Sequence, residues 1–356
     1  MITLSGLKGN QNKYFGSNVT LKHIAEALGV SAMTVSRALN DRDNVDKKTK
    51  QRVREKAQSM GYTPNRVAKS LVSRKTHTLG VVIPEITHAF FPEVVRGIEE
   101  VAYNSDYQLF LTNANEQFDR EQEAIETLRS QRVDGLLISS SLTREDYSFY
   151  ENIIEGGTKI VFFDRCIEDI GASCVSVNDL ESSKEITEHL IIEHGYSKIA
   201  HLSGPQKVTI GKERLQGFKD ALDAHDLICN KDWIIQAGFR EDTGFEAMWK
   251  LLQDNTDHLP EAVVAVNYPT AIGAIDAIRK FGLTIPDDIA IVGFTDDIRS
   301  SLLDVPLTTV HQPAYEMGEK AAKKLISFVE EDDTTVEKIE VPTTLKIRSS
   351  CGCRAE

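Results

Sequence analysis

The sequence predicts an α/β protein led by a small all-α unit: a helix-turn-helix headpiece, then a two-lobed core of doubly wound parallel sheets. Three observations carry this expectation. Short helical patterns joined by a glycine-containing turn fill residues 19–63, and branched apolar runs alternate with amphipathic helical patterns from residue 78 onward. The charge also divides. The 356-residue chain has a net charge of −13, yet residues 1–77 hold 15 Lys/Arg against 5 Asp/Glu and the remainder 26 against 49. A basic leader on an acidic body suits a polyanion partner at one end only, and a solvated basic tail would have the same composition.

Several classes drop out on composition. No apolar run approaches the ~20 residues of a membrane span, and 41% hydrophobic content is too high for a mostly disordered chain. The start, Met1-Ile2-Thr3-Leu4-Ser5-Gly6, lacks the basic stretch and apolar core of a secretory signal. The five cysteines, Cys166, Cys174, Cys229, Cys351 and Cys353, are odd in number and scattered, so a reducing cytoplasm and no disulfide framework are expected.

Residues 1–18 read as a flexible leader without periodicity. Leu21, Ile24, Ala25 and Leu28 then repeat at helical spacing, with Thr20 to cap the start and Gly29 to stop it. Ser31 caps a second helix to about Asn40 with inner face Val35, Ala38 and Leu39, and a third after Asp46 buries Val53, Ala57 and Met60. Two helices across Gly29-Val30-Ser31 make a helix-turn-helix, a turn that any small helical domain can also contain. The outer face of the second helix favours nucleic acid. The short hydroxyls and exposed N-terminus suit phosphate oxygens, and Arg37 and the tip residues can reach base edges. Lys47, Lys48, Lys50, Arg52, Arg54 and Lys56 crowd the third helix as an electrostatic footprint. Residues 64–75 read either as a conditional hinge helix, too short to stand alone, or as a basic linker.

Strand patterns follow at 79–83, 109–111, 135–138, 160–163, 199–202, 262–266 and 289–292, with helical patterns between them. This alternation predicts parallel sheets covered on both faces, in two lobes, with ligand held between them at the carboxyl ends of the strands. Enzyme signatures are missing: no G-x-G-x-x-G, G-x-S-x-G or H-E-x-x-H occurs, and the glycines of Gly204–Lys212 are too far apart for a phosphate loop. Cys351-Gly352-Cys353 has no partner pair in the sequence, so no metal is assigned to it. No cofactor is expected, and the core reads as a binder.

The motifs Val19-Thr20-Leu21-Lys22-His23-Ile24-Ala25, Gly29-Val30-Ser31, Thr34-Val35-Ser36-Arg37-Ala38-Leu39-Asn40 and Gly61-Tyr62-Thr63-Pro64-Asn65 resemble the headpiece of the LacI/GalR family of bacterial transcriptional regulators. The likeness continues through Leu79–Pro84, Phe90-Phe91, Arg132–Leu137, Val292-Gly293-Phe294 and Pro306–Pro313, covering about residues 19–350 in order. It implies a homodimeric repressor with a periplasmic-binding-protein-like core, whose cleft takes a small effector, commonly a sugar and sometimes a purine. The implied DNA-facing residues are Thr20, Ser31, Ala32, Met33, Thr34, Ser36, Arg37 and Asn40, then Asn65, Arg66, Ala68, Lys69 and Leu71 in the hinge. Ala32 and Met33 occupy the operator-reading positions and favour apolar contact with thymine methyls; Leu71 occupies that of the leucine that wedges into a minor-groove step.

The implied effector set is His88, Ala89, Phe90, Phe91, Ser139, Ser141, Asp164, Arg165, Arg214, Phe239, Arg240, Tyr268 and Asp296. Two departures from the family stand out. Asn267-Tyr268 replaces the usual Asn-Asp, which puts an ordinary hexose bound in the usual way in doubt, and Thr295-Asp296-Asp297 shifts the usual acidic pair. The expected organisation is leader 1–18, headpiece 19–63, hinge 64–77, core 78–350 and tail 351–356. Within the core the first lobe takes 78–177 and 310–333, the second 178–308 and 336–350. The expected function is a cytoplasmic, effector-controlled DNA-binding repressor, not an enzyme and not membrane-bound. Without leucine heptads near the end of the chain a dimer is expected. A solute-binding protein for uptake and an α/β enzyme fused to a DNA-binding module are the competing readings.

Overall fold

A computed structural model describes residues 19–41, 44–63, 75–87, 89–141, 147–167, 169–295, 298–331 and 334–354. The leader, the hinge positions Asn65, Arg66, Ala68, Lys69 and Leu71, and the effector candidates His88 and Asp296 lie outside the described residues. The chain divides into two units, 1–74 and 75–356. Among the described residues no helix is long and apolar enough to cross a membrane.

In the first unit, α1 (Leu21–Leu28), α2 (Ala32–Leu39) and α3 (Lys47–Ser59) surround a small core of Ile24, Ala25, Val35, Ala38, Val53 and Ala57. Local chemistry sets their ends. Gly29 ends α1 in the left-handed conformation at φ 67°. Ser31 Oγ then accepts from Thr34 N at 3.0 Å and opens α2, and Asp46 accepts from Thr49 N at 2.9 Å to open α3.

The second unit holds two six-stranded sheets. The first contains β1 (Thr78–Ile83), β2 (Gln108–Asn113), β3 (Gly135–Ile138), β4 (Ile160–Phe163), β5 (Ser173–Ser176) and β11 (Lys338–Glu340), in the spatial order 11-5-4-3-1-2 and parallel throughout. The second contains β6 (Ile199–Ser203), β7 (Ile234–Gln236), β8 (Ala262–Ala265), β9 (Ala290–Phe294), β10 (Thr308–His311) and β12 (Thr344–Lys346), in the order 12-10-9-8-6-7. Only β12 among them runs antiparallel to its neighbour. Helices α4 (Phe90–Asn104), α5 (Phe118–Ser130), α6 (Ser148–Glu155) and α11 (Ala314–Glu330) cover the first sheet. The second is covered by α7 (Asp179–His194), α8 (Thr209–Ala224), α9 (Glu241–Asp254) and α10 (Tyr268–Lys280). Both faces of each sheet are buried, which is why strands such as Leu79–Ile83 read as unbroken apolar runs: Leu79, Val81 and Ile83 pack with α4 and α11, and Val82 with α5 and α6.

Four sequence expectations change here. Leu109–Leu111 is not a buried strand: β2 is the sheet edge, with Phe110 48% and Leu111 41% exposed. Residues 338–340, expected in the second lobe, form β11 against β5 in the first, while β10 belongs wholly to the second sheet. The chain therefore passes between lobes after β5, after β10 and after β11. The cysteines are not all free thiols: Cys166 and Cys174 are joined across the turn between β4 and β5. Nor is Cys351-Gly352-Cys353 without partners, since His189 and His194 lie beside it.

The helix pair α4–α11 packs backbone to backbone. A Cβ at Gly97 would strike the Tyr315 carbonyl, and one at Gly318 the Val94 carbonyl. Substituting Gly318→Ala is expected to force these helices apart and cost about 1–3 kcal/mol, read as a lower urea midpoint with an unchanged slope.

Candidate functional site

The exposed face of α2 is built by its cap. Because Ser31 engages the Thr34 amide, and Ser31 Oγ and Thr34 Oγ1 lie 2.8 Å apart, the helix start is fixed while the Ala32 and Met33 amides stay at its positive end. Met33 is 60% exposed and Arg37 is exposed, so both project from the headpiece. Ala32 differs from expectation: it is half-buried against the headpiece core, which leaves Met33 as the free tip. Thr20 is exposed and caps α1, its backbone N–H donating to His23 Nδ1 at 3.3 Å. Ser36 is half-buried, and Asn40 Nδ2 donates to Ser36 O at 2.8 Å, so that amide is engaged locally. The basic face of α3 is also partly self-compensated. Lys50 and Arg54 hold Asp41 at 3.0 and 3.1 Å, and the hydrogen bond and charge of Lys50 pull the Asp41 carboxyl below its ordinary range. Lys47, Lys48 and Arg52 remain exposed.

The core cleft follows from strand order. In each sheet the order reverses between the first and third strands, β1/β3 and β6/β8, and ligand sites form outside the carboxyl ends at such points. Those ends meet around a cavity of about 50 Å³. The first lobe supplies Ala89, Phe90 and Phe91 after β1, and Asp164 and Arg165 after β4. The second lobe supplies Ile210 and Arg214 of α8, Phe239, Asn267, Tyr268, Pro269 and Thr295, and Gln312 sits where the chain returns to the first lobe. Small-ligand pockets usually measure about 300–1,000 Å³, so this cleft is largely filled by its own side chains. Arg165 does much of the filling: its guanidinium lies 4.5 Å above the Phe239 ring, crossing from one lobe to the other, and it holds Glu116 at 2.8 Å.

The charges in the cavity are nearly dry. Arg214 is 2% exposed; its Nε and Nη2 meet Asp179 Oδ1 at 2.6 Å, its Nη1 donates to Val266 O at 2.5 Å, and its guanidinium lies 4.0 Å over Phe294. Burial pushes the Asp179 carboxyl up against the pull of Arg214. Asp164 adopts φ 59°, a conformation Asp and Asn tolerate. Burial pushes its pKa to about 6, with Arg165 opposing. Gln312 Oε1 accepts from Thr295 Oγ1 at 2.7 Å, leaving Nε2 buried with no hydrogen-bond partner among the described residues. Together these groups offer acceptors, donors and aromatic faces in one confined space.

The predicted residues Ala89, Phe90, Phe91, Asp164, Arg165, Arg214, Phe239 and Tyr268 come together on this wall. Others do not. Ser139 and Ser141 are fully buried off the wall; Ser139 N donates to Val82 O, and Ser141 N to Glu121 Oε2 at 2.6 Å. Arg240 pairs with Asp242 at 3.1 Å in an outer trench of about 800 Å³, shared with Glu85, Asn113, Phe245 and Lys280. Sequence reading missed Ile210, Asn267, Pro269, Thr295 and Gln312 as wall residues. Their signal was weak: Asn267 is above all the N-cap of α10, accepting from Thr270 N at 2.9 Å, and the others lie in loops or on a helix end.

Comparison with known proteins agrees with both halves. Residues 20–65 match the family model described as bacterial regulatory proteins, lacI family, and residues 187–351 match the periplasmic binding protein-like domain. The probable HTH-type transcriptional repressor ExuR of Bacillus subtilis (strain 168) is 33% identical over 93% of this chain and 98% of its own length. The transcriptional regulator CelR in complex with cellobiose is 29% identical, with a TM-score of 0.71 over 94% of this chain and 100% of that one. The lac repressor dimer bound to operator and the anti-inducer ONPF, at 24% identity, shares the fold with a TM-score of 0.82 over 94% of this chain and 99% of that one. The helix-turn-helix headpiece, the two-lobed core and these similarities place the chain in the LacI family of bacterial transcriptional regulators.

Proposed function

We propose that this chain works as a cytoplasmic homodimeric repressor whose hold on a pseudo-palindromic operator is set by a sugar or sugar derivative in the inter-lobe cavity. The observation that carries the reading is the pairing, in one chain, of a capped recognition helix with exposed Met33 and Arg37 and a cavity enclosed by two topological switch points. The headpiece supplies phosphate contacts and groove readout, and a two-fold dimer mirrors two half-sites. Tyr103, Phe110 and Leu111, exposed at 71%, 48% and 41% on α4 and the β2 edge, are large apolar groups that a second copy would cover. A ligand that separates Arg165 from Phe239 changes the angle between lobes, and the hinge at 64–77 conveys that change to the headpieces; a coupling of about 1–3 kcal/mol suffices for release or recruitment. The cavity binds and does not turn over its ligand.

The cleft carboxylate gives the ligand site its cost. A buried Asp raised from 3.8 to about 6 makes the folded state bind more protons than the unfolded one between those values. Stability therefore falls as pH rises through that window, and the full penalty, on the order of 3 kcal/mol, is present above it. Asp164→Asn is expected to unfold at higher temperature at pH 7, to flatten the pH dependence between about 4 and 6, and to lose the thermal shift given by the sugar that stabilises the wild type. A scan of melting temperature against pH, with and without sugars, sugar acids and nucleobases, reads all three.

DNA binding is tested by operator affinity against salt. Arg37→Ala is expected to weaken specific binding by about 1–3 kcal/mol, whereas Lys47→Ala weakens all sequences alike and lowers the salt slope by about one. Affinity independent of salt would defeat the reading.

A further inference from the structure

Far from the cleft, two histidines and two cysteines converge. His189 and His194 come from the last turns of α7, and Cys351 and Cys353 from the segment after β12; their four ligand atoms all lie within 4.8 Å of one another. Cys351 Sγ is 3.4 Å from His189 Nε2, and Cys353 Sγ is 3.3 Å from His194 Nε2 and 3.9 Å from His189 Nε2. Zinc bonds of about 2.3 Å to sulfur and about 2.0–2.1 Å to nitrogen, at the tetrahedral angle, put a sulfur and a nitrogen ligand about 3.5 Å apart. The observed spacings straddle that value.

We propose that these four side chains form a structural zinc site that fastens the segment around residues 349–354 to the end of α7. Two thiolates and two imidazoles in a tetrahedron are a donor set zinc favours. With four protein ligands the tetrahedron is complete and holds no open position for substrate, which sets a structural clamp apart from a hydrolytic centre. Binding needs both thiols deprotonated and both imidazoles neutral at the ligating nitrogen, so each chain releases its thiol protons to solvent as zinc enters.

The surroundings are shaped for this convergence. Gly352 has φ 105°, and a Cβ there would stand 3.1 Å from Tyr196 Oη and 3.2 Å from His194 Nδ1, so the turn between the cysteines needs glycine for its backbone and for the space beside His194. Tyr196 stacks on the His194 ring at 5.4 Å, and its hydroxyl donates to Cys351 O at 3.3 Å, fixing the imidazole and the turn together. Thr308 Oγ1 lies 3.1 Å from Cys351 Sγ and can donate to the thiolate. Cys351 is fully buried against the second-lobe core, and the other three ligands are half-buried, so the metal would sit at the rim of packed structure.

Position gives the clamp its consequence. The same helix, α7, begins with Asp179, which holds Arg214 in the cleft, and His189 lies ten residues further along it, about 15 Å at the helical rise. The site stands at the amino ends of the second-lobe strands, opposite the effector cavity, and steadies from behind the helix that orients the cleft arginine.

The full-length protein, purified under reducing conditions and dialysed against metal-free buffer, is expected to keep about one zinc per chain. Stripped and titrated with cobalt(II), it should develop the thiolate charge-transfer and visible bands of tetrahedral coordination. His194→Gln and Cys353→Ser should each abolish the visible bands and reduce zinc content at least tenfold, whereas Cys229→Ser, at a free cysteine outside the cluster, should keep both. Circular dichroism of each variant shows whether the fold survives. Absence of the cobalt bands in folded wild type with reduced thiols would overturn the proposal. So would iron or copper in place of zinc, a Cys351–Cys353 disulfide in peptide mass mapping, or full zinc content in folded Cys353→Ser.

Discussion

A dry positive charge anchors the core. Arg214 sits where α7, α8, β8 and β9 converge, held by Asp179, the Val266 carbonyl and the Phe294 ring. Removing one partner of such a buried pair typically costs about 3–5 kcal/mol, because the other charge is left uncompensated. The arrangement therefore fixes four elements of the second lobe relative to one another before any ligand arrives. Its acidic partner lies just past the first lobe crossing, after β5, and Gln312 lies on the second, after β10. Asp179 and Gln312 are thus set on segments about which the lobes would move.

The first lobe answers with a different kind of contact. Arg165 reaches over Phe239 and back to Glu116, and Asp164 beside it carries a carboxyl that burial has raised to about 6. Each of these costs stability or leaves bonding capacity unused: Arg165 Nε and Gln312 Nε2 are buried without hydrogen-bond partners among the described residues. Unmet polar groups in a dry cavity cost more than exposed ones.

Much of this was legible in the residues. The headpiece could be read because caps and a glycine stop announce helix ends locally: Ser31, Asp46 and Gly29 each do in the structure what their chemistry suggests. Most core strands could be read because burial on both sheet faces leaves a continuous apolar run. That signal misleads at β2, where an apolar edge strand looks the same as a buried one. It fades at β11, a three-residue strand whose identity depends on pairing with a strand over a hundred residues earlier. Ser139 and Ser141 failed as site residues because position after a strand does not say which side of the strand end a short side chain takes. The histidine–cysteine cluster was invisible for a plainer reason. His189 and His194, five apart on a helix, form no recognisable pair, and only the return of the chain beside α7 brings Cys351 and Cys353 to them.

The sequence departure at Tyr268 acquires a physical meaning in the structure. Asn267 caps α10 and donates from Nδ2 to Phe239 O at 3.0 Å, so the residue after it opens the helix at the cavity wall. An aspartate there would offer two acceptor oxygens beside the positive end of a helix. The tyrosine, 8% exposed, offers a ring face and one hydroxyl. Among the described wall residues, the carboxylate is Asp164, on the opposite lobe. The carboxylate acceptor of the described wall therefore stands on the first lobe, and the second lobe presents aromatic carbon in its place. The fold and the control logic can be kept while ligand identity diverges, because selectivity rests on a few residues at strand ends and the lobe scaffold rests on the sheets behind them.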